Sequence, residues 1–281
     1  MPDGTGACPR CGTPSSPGER FCRRCGYDLA APPQPTSSSD ARRRAVELSM
    51  GRSVSDEIMS PLWILVPLLA VVVGFAAGML LLFFYPTAGG FLIFLGSILA
   101  AALFIYLNYK LIDRMNRHMA REAALRRALI DHLWARGQER GTAAAIQPYI
   151  SALEGIDQGA RIAERPRSTL WSLAILIPIV GIVLYFYMLY FLSQFAFEHD
   201  DRWHAFAYNV HLASTVNGEN VPPPLPRFQQ DRSFLLFLIV TIIFSPFVIY
   251  WYLKLIEDTN THFREMWAFE DGFRSSTERA M

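Results

Sequence analysis

Residues 58–109 contain no Asp, Glu, Lys or Arg, and neither do residues 168–197 or 233–253. About 20 apolar residues cross a bilayer as a helix, so runs of this kind constrain the chain to an all-α polytopic membrane protein. The first run holds two spans, at 61–84 and 91–109, and the others hold one each, at 169–192 and 233–253. Buried helices of a water-soluble core are the competing explanation, but uncharged runs this long rarely occur there.

The basic residues give an orientation. Eight precede the first span, eleven lie in 110–167 and four follow 253, whereas 193–232 has three and the turn at 85–90 has none. By the positive-inside rule the protein belongs in the plasma membrane, multi-pass, with both termini cytoplasmic and 193–232 outside. The net charge of +1 hides this asymmetry. No cleavable signal sequence is visible in the polar first 57 residues.

A motif occurs twice, each time directly after an apolar run. Tyr106, Lys110, Leu111, Ile112, Asp113, Asn116 and His118 return at the same spacing as Tyr250, Lys254, Leu255, Ile256, Glu257, Asn260 and His262. Lys110 and Lys254 are the only lysines among 26 basic residues, so composition does not account for the match. The expected architecture is two parallel repeats of a helical hairpin plus a cytoplasmic amphipathic helix. The first repeat takes 58–167, with cytoplasmic helices in 110–163; the second takes 168–281, with an outer segment at 193–232 and a cytoplasmic helix at 254–270. Ser168, Leu170 and Trp171 echo Pro61, Leu62 and Trp63 at the start of the first span.

On a helix, Lys110 and Asp113 face water, while Asn116 and His118 fall at the two edges of an apolar stripe. Asn260 and His262 sit the same way, near Lys254 and Glu257. All eight therefore read as a structural junction where each hairpin leaves the membrane. His199, Asp200, Asp201, His204 and His211 match no standard ligand spacing and read as solvated interfacial residues. Gly74 and Gly78 have the spacing of a small-residue packing face.

Cys8, Cys11, Cys22 and Cys25 are all the cysteines, in the arrangement C-x2-C-x10-C-x2-C, each pair followed by glycine. Such pairs place four thiolates tetrahedrally around one structural zinc ion. Residues 1–29 would form this module and 30–57 a flexible linker with a basic juxtamembrane segment. The stretch from Ala7 to Leu29 resembles the N-terminal zinc ribbon of many prokaryotic membrane and regulatory proteins, which implies that all four cysteines are structural ligands. The segment YWYLKLIEDTNTHFREMW and the two-span unit before it resemble uncharacterised domain families of small prokaryotic membrane proteins that often carry such a ribbon. That resemblance implies an architecture and no activity.

The sequence holds no Gly-x-Ser-x-Gly, no His-Glu-x-x-His and no phosphate-cradling loop. The expected function is accordingly not enzymatic. It is a membrane-anchored scaffold whose zinc ribbon recruits a cytoplasmic protein, with a small-solute transporter or channel on the parallel repeat as the runner-up. The bilayer is the other expected partner, nucleic acid is not, and a homo-oligomer is open.

Overall fold

The computed structural model describes residues 37–226 and 233–278. The four cysteines and the start of the linker lie outside these residues. Among the described residues every regular element is a helix, with no strand.

Helix α1 (Ser38–Met50) starts where the Ser37 side chain accepts a bond from the Asp40 amide, and ends at Gly51. A single turn, α2 (Arg52–Ser55), leads to the membrane. A 3-10 turn (Pro61–Ile64) runs into α3 (Leu65–Leu82), and α4 (Pro86–Arg140) returns as one 55-residue helix. Pro86 sits at the first turn of α4, where its missing N–H costs nothing, and Gly141 closes the helix in the left-handed conformation at φ 71°. The glycine face predicted in α3 meets two glycines of α4. A Cβ built on Gly74 would stand 2.8 Å from the Gly96 Cα, and one on Gly78 2.9 Å from the Gly89 carbonyl oxygen.

The second apolar run does not form one straight helix. A 3-10 helix (Thr169–Leu176) goes in, the backbone reverses at Ile179 with φ 61°, and α6 (Val180–Gln194) comes back beside it. Between them in sequence, α5 (Ala143–Ala163) packs on α4. The third run does the same, α8 (Phe234–Ile243) turning at Phe244 and Pro246 into α9 (Phe247–Glu278). Eight 3-10 residues extend about 16 Å and ten α residues about 15 Å, half of a bilayer core of about 30 Å. By length and composition, Pro61–Leu82, Pro86–Arg140 and Val180–Val216 are long and apolar enough to cross a membrane, while Phe234–Ile243 is shorter. Pro178 and Pro246, read from the sequence as kinks within two of the four expected spans, instead stand at reversals, which a hydropathy run does not register because it only adds up apolar residues.

Helix α6 continues through a π-turn (Phe195–His199) into α7 (Asp200–Val216). Read as an outer segment from its low basic content, α7 in fact packs on the helices read as cytoplasmic. Trp203, Phe206 and Val210 share one core with Leu125, Leu129 and Leu133 of α4, Ile146, Ile150 and Leu153 of α5, and Phe269 and Phe273 of α9. A second core nearer the membrane joins Leu107, Leu111 and Met115 to Met188, Leu189 and Leu192 and to Trp251, Leu255 and Ile256. In both cores residue numbers rise together along α4, α6–α7 and α9. The three helices therefore leave the apolar region side by side and in the same direction. Below them α3, the start of α4 and the two shorter hairpins expose an apolar belt, from Leu69, Phe75 and Phe94 to Ile179 and Ile243.

Candidate metal centre

Each of the three outgoing helices delivers one histidine to a common point. His118 comes from α4, His199 from the π-turn before α7, and His262 from α9; they are 0%, 1% and 1% exposed. His118 Nε2 lies 3.1 Å from His199 Nε2 and 3.3 Å from His262 Nε2. One nitrogen of each ring lies within 4.8 Å of one nitrogen of the others.

The opposite edge of each ring faces a carboxylate. His118 Nδ1 is 2.9 Å from Asp56 Oδ1, His199 Nδ1 is 2.9 Å from Glu164 Oε1, and His262 Nδ1 is 2.7 Å from Asp200 Oδ1. A carboxylate accepts only, so Nδ1 is the donor in His118 and His262 and a neutral ring there has its lone pair on Nε2, whereas His199 faces a carboxylate on both edges, Glu164 at Nδ1 and Glu122 at Nε2. Converging lone pairs repel unless a proton or a cation lies between them. With metal–nitrogen bonds of about 2.0–2.1 Å, a tetrahedral centre has nitrogens about 3.3–3.4 Å apart, close to the spacing here.

A carboxylate stands beside two of the three rings. Glu122 is fully buried, and its Oε2 is 2.7 Å from His199 Nε2 and 3.6 Å from His118 Nε2, with no hydrogen bond of its own. Its other oxygen is held by Arg126. Three imidazoles and one carboxylate are a donor set for zinc or another first-row divalent ion. Carboxylates behind the histidines are the usual outer layer of such a site, fixing tautomer and ring orientation. That layer is itself tied down: Asp56 Oδ2 accepts from Arg121 Nη2 at 2.6 Å and from Trp267 Nε1 at 2.8 Å. Phe263 stacks on His118 at 4.4 Å between ring centres and Phe195 on His199 at 4.7 Å.

The local field favours positive charge at the centre. Burial resists the charge on His199, but Glu122 and Glu164 outweigh it and push the imidazole up to about 9. Burial brings His118 down to about 4, with His199 and His262 adding to the effect and Asp56 opposing it. Glu122 stays well below the usual carboxylate range; burial resists this, and Arg126 and His199 prevail. His199 is thus the ring that favours its charged form, and His118 the one that resists it.

The repeated motif finds its place here. Asn116 grips the backbone of Arg167, donating to its carbonyl at 2.7 Å and accepting from its amide at 2.9 Å. Asn260 does the same to Met59, at 2.7 and 3.2 Å. Arg167 and Met59 each precede the serine that caps an inbound helix, Ser168 and Ser60. Each asparagine therefore fixes the start of a neighbouring hairpin. Lys110 pairs with Glu57 at 2.5 Å, and not with Asp113, which pairs with Arg117 at 2.9 Å. Lys254 bonds Glu257. The lysines and acids remain on the surface, the asparagines dock, and the two histidines turn inward to meet a third.

His199 and Asp200, read from the sequence as solvated interfacial residues, are in fact buried at 1% and 0% exposure, and Asp56, Glu122 and Glu164 were not chosen from the sequence. The signal was there: Tyr187 precedes His199 by the same twelve positions that separate Tyr106 from His118 and Tyr250 from His262. A serine caps the inbound arm in all three cases, Ser60, Ser168 and Ser233. Four residues before the first two serines stand Asp56 and Glu164, the partners of His118 and His199. The middle arm has Phe191 and Phe197 at the positions of the lysine and the asparagine. Comparison with protein-family models, curated proteins and solved structures finds no match for the chain.

Proposed function

We propose that the protein is a metal-clamped membrane scaffold, in which a zinc-class ion held by His118, His199, His262 and Glu122 locks three helices together at the membrane surface. The observation that carries this reading is the convergence of three Nε2 atoms whose Nδ1 atoms are each committed to a carboxylate. The role is structural and not catalytic, because a catalytic metal keeps one position open to solvent or substrate. With Glu122 as the fourth ligand no position would be left open, and the nearby cavity lined by Leu111, Arg114, Met115, Leu192, Phe195, Leu255 and Thr259 has a volume of about 10 Å³. That is room for a single water at most.

The hairpins that reverse at half depth support one topology in particular. With α3 and α4 as the pair that crosses, every Lys and Arg of the described residues falls on one side, and the far tip at 83–90 carries none. This is the positive-inside rule at its simplest, and it makes the helical body cytoplasmic. The N-terminal cysteine module, with its own structural zinc, then stands on the same side and recruits a cytoplasmic protein. The test is thermal: a chelator should lower the melting temperature of the full chain in detergent, zinc should restore it, and His262→Ala should melt low with either. Identical melting with and without chelator contradicts the reading.

Non-helical backbone at membrane depth occurs where it is buried or lines a cavity, and this observation favours a solute route as the second reading. Flux through vesicles holding the protein, absent from empty vesicles, would decide for it.

A further inference from the structure

Beside the trihistidine centre lies a second group of donors. His204 stands one turn after Asp200 on α7 and opposite Glu265 on α9. His204 Nε2 is 3.8 Å from Asp200 Oδ1 and 3.7 Å from Glu265 Oε2. One ligand atom from each of the three lies within 4.8 Å of one from the others. Glu265 is only 9% exposed, yet neither of its oxygens has a hydrogen-bond partner, and His204 Nε2 is buried and equally without one. A carboxylate withdrawn from water to that degree carries a large desolvation cost unless a donor or a cation meets it. The ion pairs of His204 at 3.7 and 3.8 Å are too long to be hydrogen bonds, so they leave the desolvation of these atoms uncompensated.

The spacing suits an ion. His204 Nε2 stands 3.8 and 3.7 Å from the two carboxylate oxygens and all three atoms lie within 4.8 Å, which leaves a point between them about 2.2–2.5 Å from each, close to a metal–oxygen bond length. We propose that Asp200, His204 and Glu265 form a second divalent-cation site, distinct from the trihistidine centre and linked to it by Asp200, which also holds His262. Its two carboxylates and one imidazole are a harder donor set than three imidazoles, suited to manganese(II) or iron(II) as well as zinc. The His204 side chain is 17% exposed, against 0–1% for the three histidines of the first centre, so this site lies nearer the surface. It is the exchangeable member of the pair.

The inference does not require an ion in the trihistidine centre, and the two can fail separately. Full-length protein in detergent, stripped of metal, is titrated with Mn²⁺ and bound ion is followed by electron paramagnetic resonance. Glu265→Gln keeps the shape of the side chain and should weaken one class of Mn²⁺ site at least tenfold, and His204→Gln should do the same. His118→Ala should leave that class in place. If Glu265→Gln does not fold, His204→Gln at the rim gives the same reading. Unchanged Mn²⁺ binding in both variants overturns the proposal, as does loss of the site in His118→Ala alone.

Discussion

His118 and His199 are 81 positions apart, yet their Nε2 atoms face each other at 3.1 Å in a fully buried setting. Two ring nitrogens do not face each other at this distance unless a proton or a metal ion lies between them. The arrangement holds because Asp56 and Glu164 anchor the far edges of the two rings, and because Phe263 and Phe195 stack on their faces.

Asn260 is the clearest structural member of the repeat. Replacing it with Leu removes both bonds to the buried Met59 backbone and the one it accepts from Arg114 Nη1 at 2.9 Å. Each buried group left without a partner costs about 1–3 kcal/mol. Asn260→Leu should therefore lower the unfolding free energy in detergent by several kcal/mol. Asn116→Leu, at a less buried position, should cost less. Equal and small effects in denaturant titrations would contradict the docking role.

The crossing of α3 and α4 depends on absent side chains. Gly96→Leu must push Gly74 away, since even a Cβ at Gly96 lies 2.8 Å from the Gly74 Cα. Overpacking of this kind costs about 1–3 kcal/mol. Gly90→Ala, where a Cβ meets nothing within 4 Å, is the matched control and should be neutral. Protease resistance in micelles separates the two.

Acid should weaken the fold for a traceable reason. Asp56 is held well below its usual value of 3.8: burial resists, and His118, Arg121 and Trp267 outweigh it. Glu57 is lowered from 4.5 in the same sense, burial resisting and Lys110 and Arg117 prevailing. A depressed carboxylate adds stability that is present above its unfolded value and lost as pH falls through the folded one. The melting temperature should thus hold above about pH 5 and fall below about pH 4. Asp56→Asn should melt lower at pH 7 and show a flatter acid limb. A parallel pair of pH curves would mean that Asp56 contributes nothing through its charge.

The membrane topology has its own check. In a chain whose four cysteines are replaced by serine, Tyr208→Cys on the exposed side of α7 and Ala88→Cys at the far tip are labelled by an impermeant thiol reagent. Reagent on the cytoplasmic side should modify Tyr208→Cys and spare Ala88→Cys. An α7 accessible from the outer side would restore the orientation that the charge count alone suggested.

How much of this was legible in the residues can be judged from particular elements. The apolar runs announced a helical membrane protein, and Gly74 and Gly78 announced a close helix contact. The doubled motif marked His118 and His262, but on a single helix both looked like edge residues of an apolar stripe. Amphipathic geometry reports how a side chain stands on its own helix, and it does not report that two other helices bring matching edges to the same point. His199 escaped because its copy has Phe191 and Phe197 where the others have lysine and asparagine, and because its apolar run was taken to cross the bilayer. Reversal at Ile179, a non-glycine residue at φ 61°, has no sequence signature beyond the preceding proline.

The account stands or falls on whether the three histidines bind one ion together. X-ray absorption on the full chain with Cys8, Cys11, Cys22 and Cys25 replaced by serine, loaded with zinc and dialysed, reads this directly. The expected spectrum is one retained ion with nitrogen and oxygen neighbours at about 2.0 Å and imidazole outer-shell scattering, abolished by His199→Ala. A protein that retains no zinc after dialysis, or a spectrum that His199→Ala leaves unchanged, would contradict it.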